Sequence, residues 1–511
     1  MDTEAAHSSS DHAVEHGELS VPSGGAEPCD RADTTPDGRP GQTKTVSEPL
    51  RHWLRDLATR LDPFARNADV LLDEERLASG EDVFGVVLVP DQSEPHTFGK
   101  VLRTFSAYSG PGLLIAVGYM DPGNWSTNLA GGSQFGYDLL CVIVLANILG
   151  AVLQHLAVRL GAGSSLDLAQ ACRQRYHPYV NKVLWLIIEG AMIATDLAEV
   201  LGGAIGFNIL LRIPLVGGAL ISIADVFLFL LLRGQRARVV EACVLVLMLL
   251  IMACLIFALI KTNAPTAAVV AGLAPKGRIV TNKDELYAAI GILGATVMPH
   301  NLFLHSSAIL SRRFDKSDAG RRQALVYGTV DSTIALVIAT FVNAALLIVA
   351  AGTFAATVGA ISDLGQAAEL LKPALGRAAS TLFGLGLLAS GQQSTLTCTL
   401  AGQVVLEGFL GPTAALKPWA RRMVTRFVAA VPAVIVSSVG GAAGVTRLLV
   451  LSQVILSLSL PFAIFPLVHL CGKRDLLGEL ASPRALSALS WCMWGFITAL
   501  NAKLVIDFAT A

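Results

Sequence analysis

The chain has 511 residues, of which 53% are apolar and only 15% are charged. This composition excludes an ordinary soluble globular protein, in which about a quarter of the residues are charged. It also excludes a disordered chain, a secreted disulfide scaffold and a nucleic-acid binder. Residues 1–100 contain 20 acidic and 9 basic side chains, whereas the remaining residues contain 19 acidic and 29 basic ones. An acidic head before a sparsely charged body is typical of a polytopic membrane protein.

The acidic head lacks the basic start and apolar core of a signal peptide. Its first 50 residues are rich in Ser, Gly, Pro and acidic residues, which predicts a disordered tail. The segments WLRDLATRL and ADVLLDEERL, between residues 51 and 78, predict short amphipathic helices. We therefore expect residues 1–100 to form a largely disordered tail and residues 101–511 to form the membrane domain.

Eleven apolar stretches from residue 105 onward are long enough to cross a bilayer, which takes about 20 residues of helix. The ninth is short, and its helix also fits a start nearer Trp419. We number these predicted transmembrane helices TM1 to TM11. Their windows are 105–133, 138–160, 180–211, 213–232, 239–260, 285–311, 325–355, 379–405, 426–440, 448–471 and 486–509.

The distribution of basic residues predicts the orientation of these helices. The loops that follow even-numbered helices contain 18 Lys and Arg residues, whereas the opposite loops contain 8. Because cytoplasmic loops carry the excess of Lys and Arg, the first set is predicted to be cytoplasmic. The expected protein is a multi-pass protein of the cell (inner) membrane with a cytoplasmic N-terminus and an extracytoplasmic C-terminus.

TM1 and TM6 each contain a proline near the middle. Pro122 lies in the tetrad DPGN and Pro299 in the tetrad MPHN, so both have the form x-Pro-x-Asn. A proline inside a helix removes a backbone hydrogen bond and clashes with the preceding turn, and Gly123 loosens TM1 further. Both helices are therefore predicted to be interrupted within the membrane.

The two interruptions are five helices apart. Because five is odd, TM1 and TM6 cross the membrane in opposite directions, as expected for two five-helix units related by an inverted repeat. Matched interruptions in two halves are the sequence feature that best indicates the binding site of a transporter. A simple kink is common for one proline in a membrane helix, but two matched tetrads favour a pair of unwound segments.

The groups at these interruptions are of the kinds that bind cations. Unwound helix ends expose carbonyls, here expected near Tyr119–Met120 and at Ala295, and Asp121 and Asn124 add side-chain oxygens. A carboxylate near the bilayer centre is costly and therefore indicates function; without metal, we expect Asp121 to take up a proton. Met298 adds a thioether, which Mn²⁺, Fe²⁺, Co²⁺ and Cd²⁺ accept better than Mg²⁺ or Ca²⁺ do. Core packing is the alternative explanation for this methionine.

Acidic and histidine side chains within the membrane predict a route for protons. The three acids of TM3 are spaced so that they fall within a stripe about 80° wide on one helix face. Such groups are costly in a membrane unless they pair or line a wet path, and proton relays use this mixture of residues. The predicted relay residues are Glu189, Asp196, Glu199, His300, His305 and Asp331.

An alternative for these acids is a set of buried ion pairs that locks helices together. The start of TM9 carries three basic residues, Arg421, Arg422 and Arg426. These arginines either pair with departing charge or anchor the cytoplasmic surface, and we favour anchoring.

Four segments stand out along the chain: GYMDPGNW at 118–125, ATDLAEVLG at 194–202, MPHNLFLHS at 298–306 and GQQSTLTCTLAGQVVLEGF at 391–409. Together they resemble the Nramp family of proton-coupled divalent transition-metal transporters, in particular its bacterial manganese/iron branch. The resemblance covers about residues 105–509. Magnesium-selective relatives lack the methionine that this chain keeps at position 298. We assign the 391–409 segment a structural or gating role.

The resemblance implies an all-α polytopic membrane protein with a LeuT-like fold, in which a 5+5 inverted repeat is followed by an eleventh transmembrane helix and TM1 and TM6 are broken. It also implies a proton route along TM3. The implied metal ligands are Asp121, Asn124, the Ala295 carbonyl, the Met298 sulfur and Gln453 of TM10.

The expected function is proton-coupled import of Mn²⁺ or Fe²⁺, with Co²⁺ and Cd²⁺ as further substrates, by alternating access. The expected partners are divalent metal ions, protons and the lipid bilayer. We expect no enzymatic activity, no cofactor, no nucleic acid and no obligate protein partner; an intramembrane metalloenzyme is disfavoured because the chain has no HExxH motif.

Two alternatives remain. One is a sodium-coupled amino acid carrier of the same fold, which would hold a substrate carboxylate at the positive N-terminus of a half-helix. The other is a metal-sensing receptor that binds metal without transporting it.

Overall fold

The computed structural model describes residues 87–89, 98–224, 237–355, 364–411 and 418–510, which belong to one compact unit, Glu48–Ala511. The predicted disordered tail and the amphipathic segments between residues 51 and 78 lie outside the described residues. Within the described part of the chain, helices occupy all eleven predicted transmembrane windows. Six of the helices described are long and apolar enough to cross a membrane by length and composition alone.

TM1 and TM6 are each built from two half-helices. TM1a spans Pro111–Val117, TM1b Pro122–Phe135, TM6a Lys283–Thr296 and TM6b Pro299–Ala308. The other transmembrane helices are TM2, Leu140–Ser164; TM3, Pro178–Leu211; TM4, Leu215–Ile223; TM5, Ala237–Lys261; TM7, Asp318–Phe354; TM8, Arg377–Leu410; TM9, Pro418–Val439; TM10, Gly441–Cys471; and TM11, Arg484–Ala509. The earlier start of TM9, near Trp419, is confirmed.

Shorter elements lie before and between these helices. A helix at Phe98–Tyr108 precedes TM1a, and it is separated from TM1a by Ser109 and Gly110. The loops contain helices at Leu168–Arg175, Thr266–Ala271, Arg278–Thr281, Leu364–Leu375 and Arg474–Leu477. Two short strands, β1 (Val87–Leu88) and β2 (Arg312–Arg313), pair in parallel.

The predicted interruptions of TM1 and TM6 are confirmed. Residues 118–121 form turns between TM1a and TM1b, and Val297 and Met298 join TM6a to TM6b. Pro122 and Pro299 are each the first residue of the second half-helix. At that position the missing proline N–H is not needed for an intrahelical bond, so each proline starts a helix instead of distorting one.

Prolines elsewhere leave their helices continuous. TM10 contains Pro461 and Pro466 and still runs from Gly441 to Cys471. Pro461 has no N–H to donate to the Ser457 carbonyl four residues earlier, but Asn501 of TM11 donates its Nδ2 to that carbonyl at 3.0 Å. A neighbouring helix thus satisfies the exposed carbonyl, which is how membrane helices tolerate proline.

Neighbouring helices pack closely against TM1 and TM6 at glycine residues. A Cβ on Gly132 of TM1b would lie 2.6 Å from the Leu347 carbonyl oxygen of TM7, and one on Gly161 of TM2 would lie 2.4 Å from the Ser306 carbonyl oxygen of TM6b. Small residues let membrane helices approach backbone to backbone. The broken helices are therefore held at the centre of the bundle.

Candidate metal site and proton route

Three predicted ligands from TM1 and TM6 meet at the interruptions. Asp121 is the N-cap residue of TM1b, and its Oδ1 accepts a hydrogen bond from the Asn124 backbone N–H at 2.8 Å. With its amide oriented to satisfy both neighbours, Asn124 donates from Nδ2 to the Ala295 carbonyl at 3.1 Å and to Asp121 Oδ1 at 2.5 Å. All three residues are fully buried.

Two further oxygens at this point are buried acceptors. Asp121 Oδ2 and Gln453 Oε1 have no hydrogen-bond partner among the described residues. Gln453 lies directly against the TM1 interruption, because a Cβ on Gly123 would be 2.2 Å from its Nε2. A buried acceptor without a donor is costly, and a cation would satisfy both oxygens. The donor set therefore fits a divalent metal ion as cargo.

Met298 lies at the interruption of TM6. It is the N-cap residue of TM6b, it is 1% exposed, and it packs with Ala194 of TM3 and Leu456 of TM10. The methionine is therefore buried beside the helix that carries the predicted proton-route acids.

The two carbonyls expected to face the gap on the TM1 side already have donors. The Tyr119 carbonyl accepts from Asn343 Nδ2 of TM7 at 2.7 Å, and the Met120 carbonyl accepts from Ser390 Oγ of TM8 at 2.6 Å. These bonds fix the unwound segment to two other helices. Asn343 and Ser390 were not among the residues predicted from the sequence. Each is a polar residue within an otherwise apolar stretch, and this feature could have indicated them.

Two acids of TM3, Asp196 and Glu199, face TM8 and TM9. Glu199 accepts from Ser394 Oγ at 2.9 Å and Thr395 Oγ1 at 3.1 Å, and it forms an ion pair with Arg426 at 3.0 Å. The Arg426 side chain is fully buried. The preference for surface anchoring is therefore wrong for Arg426, because a carboxylate within the membrane attracts the guanidinium inward. The side chains of Arg421 and Arg422 lie outside the described ones.

Asp196 extends this polar group along TM3. It is 1% exposed, and the Cys398 thiol of TM8 lies 3.5 Å from its Oδ1. Potential ligand atoms of Asp196, Glu199 and Cys398 lie within 4.8 Å of one another, but Arg426 already balances the Glu199 charge. Residues 391–409 thus hold two of the three TM3 acids in place, which fits the structural role expected of this segment. Glu189 is half-buried on the same helix.

The histidines lie on TM6b and are buried. His305 Nδ1 is 2.9 Å from Gln154 Oε1 of TM2, and Gln154 Nε2 donates to the Tyr119 hydroxyl at 3.2 Å. This chain of contacts connects TM6b to the TM1 interruption. His300 is 2% exposed, and its Nδ1 has no partner among the described residues.

Asp331 is placed apart from the other predicted relay residues. Its carboxylate accepts hydrogen bonds from Gly110 and Gly112, at the beginning of TM1a. The structure therefore brings Asp196 and Glu199 together with Arg426. It joins His305 to the TM1 interruption and puts Asp331 at the far end of TM1a.

A cavity of about 670 Å³ lies on the TM1b side of the candidate metal site. TM1b, TM6a and TM10 line it, with Thr127 and Val450 among its residues. Thr127 and Val450 lie three positions from Asn124 and Gln453, respectively, which is about one helical turn. The cavity therefore ends close to the site, and the predicted orientation places it on the extracytoplasmic side.

Comparisons with known proteins agree with this geometry. Residues 112–507 match the family described as "Natural resistance-associated macrophage protein-like", or Nramp. The chain is 51% identical over 413 residues to the divalent metal cation transporter MntH of Bradyrhizobium diazoefficiens, with 80% of this chain and 91% of the relative covered. It is 52% identical to the Xanthomonas campestris pv. campestris protein of the same name, with 79% and 91% covered.

A solved structure is also similar. It is the Eremococcus coleocola manganese transporter in complex with an aromatic bis-isothiourea substituted compound, with a TM-score of 0.73, 37% identity, and coverage of 81% of this chain and 89% of that one. The predicted all-α fold with a LeuT-like arrangement is confirmed. The chain is therefore an integral membrane protein that belongs to the Nramp family of transporters.

Proposed function

We propose that this protein is a divalent metal cation transporter that imports Mn²⁺ and Fe²⁺, with Co²⁺ and Cd²⁺ as further substrates, by symport with protons. The observation that carries the proposal is the convergence of buried oxygens at two helix interruptions. Asp121 Oδ2 and Gln453 Oε1 are buried acceptors beside the Asn124–Ala295 contact. The similar proteins named as divalent metal cation or manganese transporters support the same cargo.

The proposed metal ligands are the Asp121 carboxylate, the Asn124 amide oxygen, the Ala295 carbonyl, the Met298 sulfur and the Gln453 amide oxygen. Metal binding requires the Asn124 amide to turn its oxygen toward the ion, which releases its two present hydrogen bonds. One thioether among four oxygens favours Mn²⁺ and Fe²⁺ over Mg²⁺ and Ca²⁺.

The proposed proton route uses Glu189, Asp196 and Glu199 of TM3 together with His300 and His305 of TM6b. Glu199 forms an ion pair with Arg426, and Asp196 lies on the same face of TM3. Protons can therefore pass between side chains along one side of this helix. Asp331, which was predicted with this group, lies apart from it at the beginning of TM1a.

The amino acid carrier is the second candidate, and one contact counts against it. Such a carrier needs the free N-terminus of a half-helix for the substrate carboxylate. In TM1b that N-terminus is already capped by the Asp121 carboxylate, which accepts from the Asn124 N–H. The metal-sensing receptor differs from the main proposal only in transport, so accumulation of metal separates the two.

Uptake into proteoliposomes tests the proposal. We expect proteoliposomes that contain the full chain to accumulate radioactive Mn²⁺, and to do so faster when the outside solution is more acidic than the lumen. We also expect protons to enter the lumen together with Mn²⁺. Glu199→Gln should lower the protons moved per Mn²⁺ several-fold, because it removes the central carboxylate of the route. Glu479→Gln, which alters an exposed ion pair with Arg322, is the matched control and should leave the ratio unchanged.

Two results would contradict the proposal. Binding of Mn²⁺ without accumulation would favour the receptor, and sodium-driven uptake of an amino acid without Mn²⁺ uptake would favour the carrier. Mn²⁺ uptake that is indifferent to pH and moves no protons would retain metal transport and reject proton coupling.

A further inference from the structure

A second cavity, of about 750 Å³, lies beside the one that ends at the candidate metal site. It is formed by the beginnings of TM6a and TM10 and by the ends of TM9 and TM11. The two cavities share Asp284, Tyr287 and Arg447, but TM11 lines only the second. We call the second cavity the TM11 groove. Its place beside TM11 puts it to the side of the proposed metal path.

The wall of the TM11 groove is mostly apolar. Its apolar side chains come from TM9, TM10 and TM11 and are Val436, Leu448, Leu451, Leu504 and Phe508. Leu504 is 2% exposed, whereas Leu451 is 44% exposed and Phe508 is 64% exposed. Because lipid tails are as apolar as these side chains, the open side of the groove suits an acyl chain.

The rim of the TM11 groove is charged. Its bases and acids are Lys283, Arg447 and Lys503, and Asp284 and Asp507. Lys503 Nζ forms an ion pair with the Asp507 carboxylate at 2.9 Å, and Lys283 Nζ donates to the Asp507 backbone carbonyl at 3.2 Å. Three bases against two acids leave one net positive charge at the rim.

Arg447 provides a charge that is available to a ligand. It is exposed on TM10, and its guanidinium forms no ion pair or hydrogen bond within the part of the chain that the structure describes. A guanidinium can bond a phosphate through two parallel N–H groups. The nearby Asp284 lies in the first turn of TM6a, where the helix dipole stabilises its charge.

The TM11 groove lies at the level of the lipid headgroups. TM11 has 26 residues, which gives about 39 Å of helix, longer than the ~30 Å hydrocarbon core. Phe508, the second-last residue of TM11, is therefore near one edge of that core. It forms an edge-to-face pair with Tyr287, with ring centroids 5.8 Å apart, and tyrosine is enriched at this interface.

We propose that the TM11 groove binds an anionic phospholipid. The phosphate contacts Arg447 and Lys283, and the acyl chains lie against Leu451 and Phe508. The net positive rim favours an anionic headgroup over a zwitterionic one, because basic residues next to the membrane attract anionic lipids. This inference goes beyond the proposed transport function and does not depend on it.

Photolabelling in lipid nanodiscs tests this site. The full chain is placed in phosphatidylcholine nanodiscs with a trace of phosphatidylglycerol or phosphatidylcholine that carries a diazirine in an acyl chain, and labelled peptides are identified by mass spectrometry. We expect phosphatidylglycerol to label the peptide with Phe508 at least fivefold more than phosphatidylcholine does. The peptide with Leu220 of TM4, which is 57% exposed, is the internal reference and should be labelled equally by both lipids.

A double variant tests the contact with the phosphate. We expect Arg447→Gln combined with Lys283→Gln to lower phosphatidylglycerol labelling of Phe508 to the level of phosphatidylcholine. Arg212→Gln combined with Lys261→Gln is the matched control, since it also removes two exposed basic residues, from the ends of TM3 and TM5. This control should retain the fivefold preference.

A bulkier side chain tests the contact with the acyl chains. Leu451→Trp enlarges an exposed residue of the groove wall without a change of charge, so we expect phosphatidylglycerol labelling of Phe508 to fall several-fold. Phe427→Trp, at a 68% exposed position of TM9 that does not line the groove, is the control and should leave this labelling unchanged. Size-exclusion profiles identify any variant that has lost its fold.

Three results would overturn the proposal. Equal labelling of Phe508 by the two lipids would indicate ordinary bilayer contact, and a preference that survives the loss of Arg447 and Lys283 would exclude the phosphate contact. Labelling of Phe508 by both lipids that is much weaker than that of Leu220 would indicate that a protein, such as a second copy of this chain, covers the groove. Because no metal is present, failure of the proposed transport function does not affect these measurements.

Discussion

At the scale of single residues, the two carboxylate oxygens of Asp121 have different surroundings. Oδ1 caps TM1b through the Asn124 N–H, while Oδ2 is a buried acceptor without a partner among the described residues. The cap holds the carboxylate at the start of a half-helix, so the charge needed for a cation is positioned by the backbone itself. Pro122 supports this arrangement because it occupies the first helical position.

Met298 is the residue expected to decide selectivity. We expect Met298→Ala to retain Mn²⁺ uptake and to lower the ratio of Mn²⁺ to Ca²⁺ transport about tenfold, equal to about 1.4 kcal/mol. The reason is that the thioether contributes little to binding of Ca²⁺ or Mg²⁺ and more to binding of Mn²⁺. Initial rates of uptake of radioactive Mn²⁺ and radioactive Ca²⁺ into proteoliposomes measure this ratio.

A second methionine provides the control for that measurement. Met493 of TM11 is also buried, so Met493→Ala removes a similar volume from a different helix and should leave selectivity unchanged. Unchanged selectivity in Met298→Ala would exclude sulfur from the metal site and leave core packing as the role of that residue.

At the scale of the helix, the break in TM1 is maintained by what packs around it. Tyr119 and Met120 lose regular helical bonding, and Asn343 and Ser390 satisfy their carbonyls. On the other side, Pro122 lies against Gly202 of TM3, where a Cβ would be 2.2 Å from the proline Cβ. The break therefore depends on contacts with TM3, TM7 and TM8 as well as on the proline.

Two glycines of TM3 test this packing within one helix. We expect Gly202→Ala to destabilise the protein by about 1–3 kcal/mol, because the added methyl group overlaps Pro122 and the backbone must shift. Gly190→Ala is the matched control, since a Cβ at Gly190 meets nothing within 4 Å. Thermal unfolding in detergent should show a lower midpoint for Gly202→Ala alone. Equal midpoints for both variants would mean that TM1 can shift away from TM3 without a loss of stability.

At the scale of the whole molecule, the two ends of the bundle differ. A cavity lined by TM1b, TM6a and TM10 ends within a turn of the metal site, whereas TM1a is packed against TM5 and TM7 at the other end. This asymmetry fits the proposed cycle at the stage where the site is reached from the TM1b side. The polar contacts of TM1a then belong to the closed cytoplasmic side.

The orientation of the molecule is a prediction that intact cells test. With a protease site placed before Met1 or after Ala511, we expect external protease to cut the C-terminal site in intact cells and the N-terminal site only after permeabilisation. The reason is the excess of basic residues in the loops after even-numbered helices. The reverse pattern would place TM1a on the extracytoplasmic side.

The features predicted best from the sequence are those that depend on local chemistry. Apolar length predicted eleven helices, and two x-Pro-x-Asn tetrads predicted the interruptions at Pro122 and Pro299, because hydropathy and helix starts are properties of neighbouring residues. Proline by itself was not sufficient, since Pro461 lies in a continuous helix whose exposed carbonyl bonds to Asn501. That distinction depends on a residue 40 positions away.

The partners of charged and polar groups could be identified only from the packing of the helices. The amino-acid sequence shows that TM3 carries acids and that TM9 begins with arginines, but it does not show that Glu199 and Arg426 form a buried pair. It placed Asp331 within a membrane helix, but not against the amides of TM1a. Each of these contacts joins residues more than 200 positions apart, and which of several long-range partners a buried charge finds is determined by the packing of the helices.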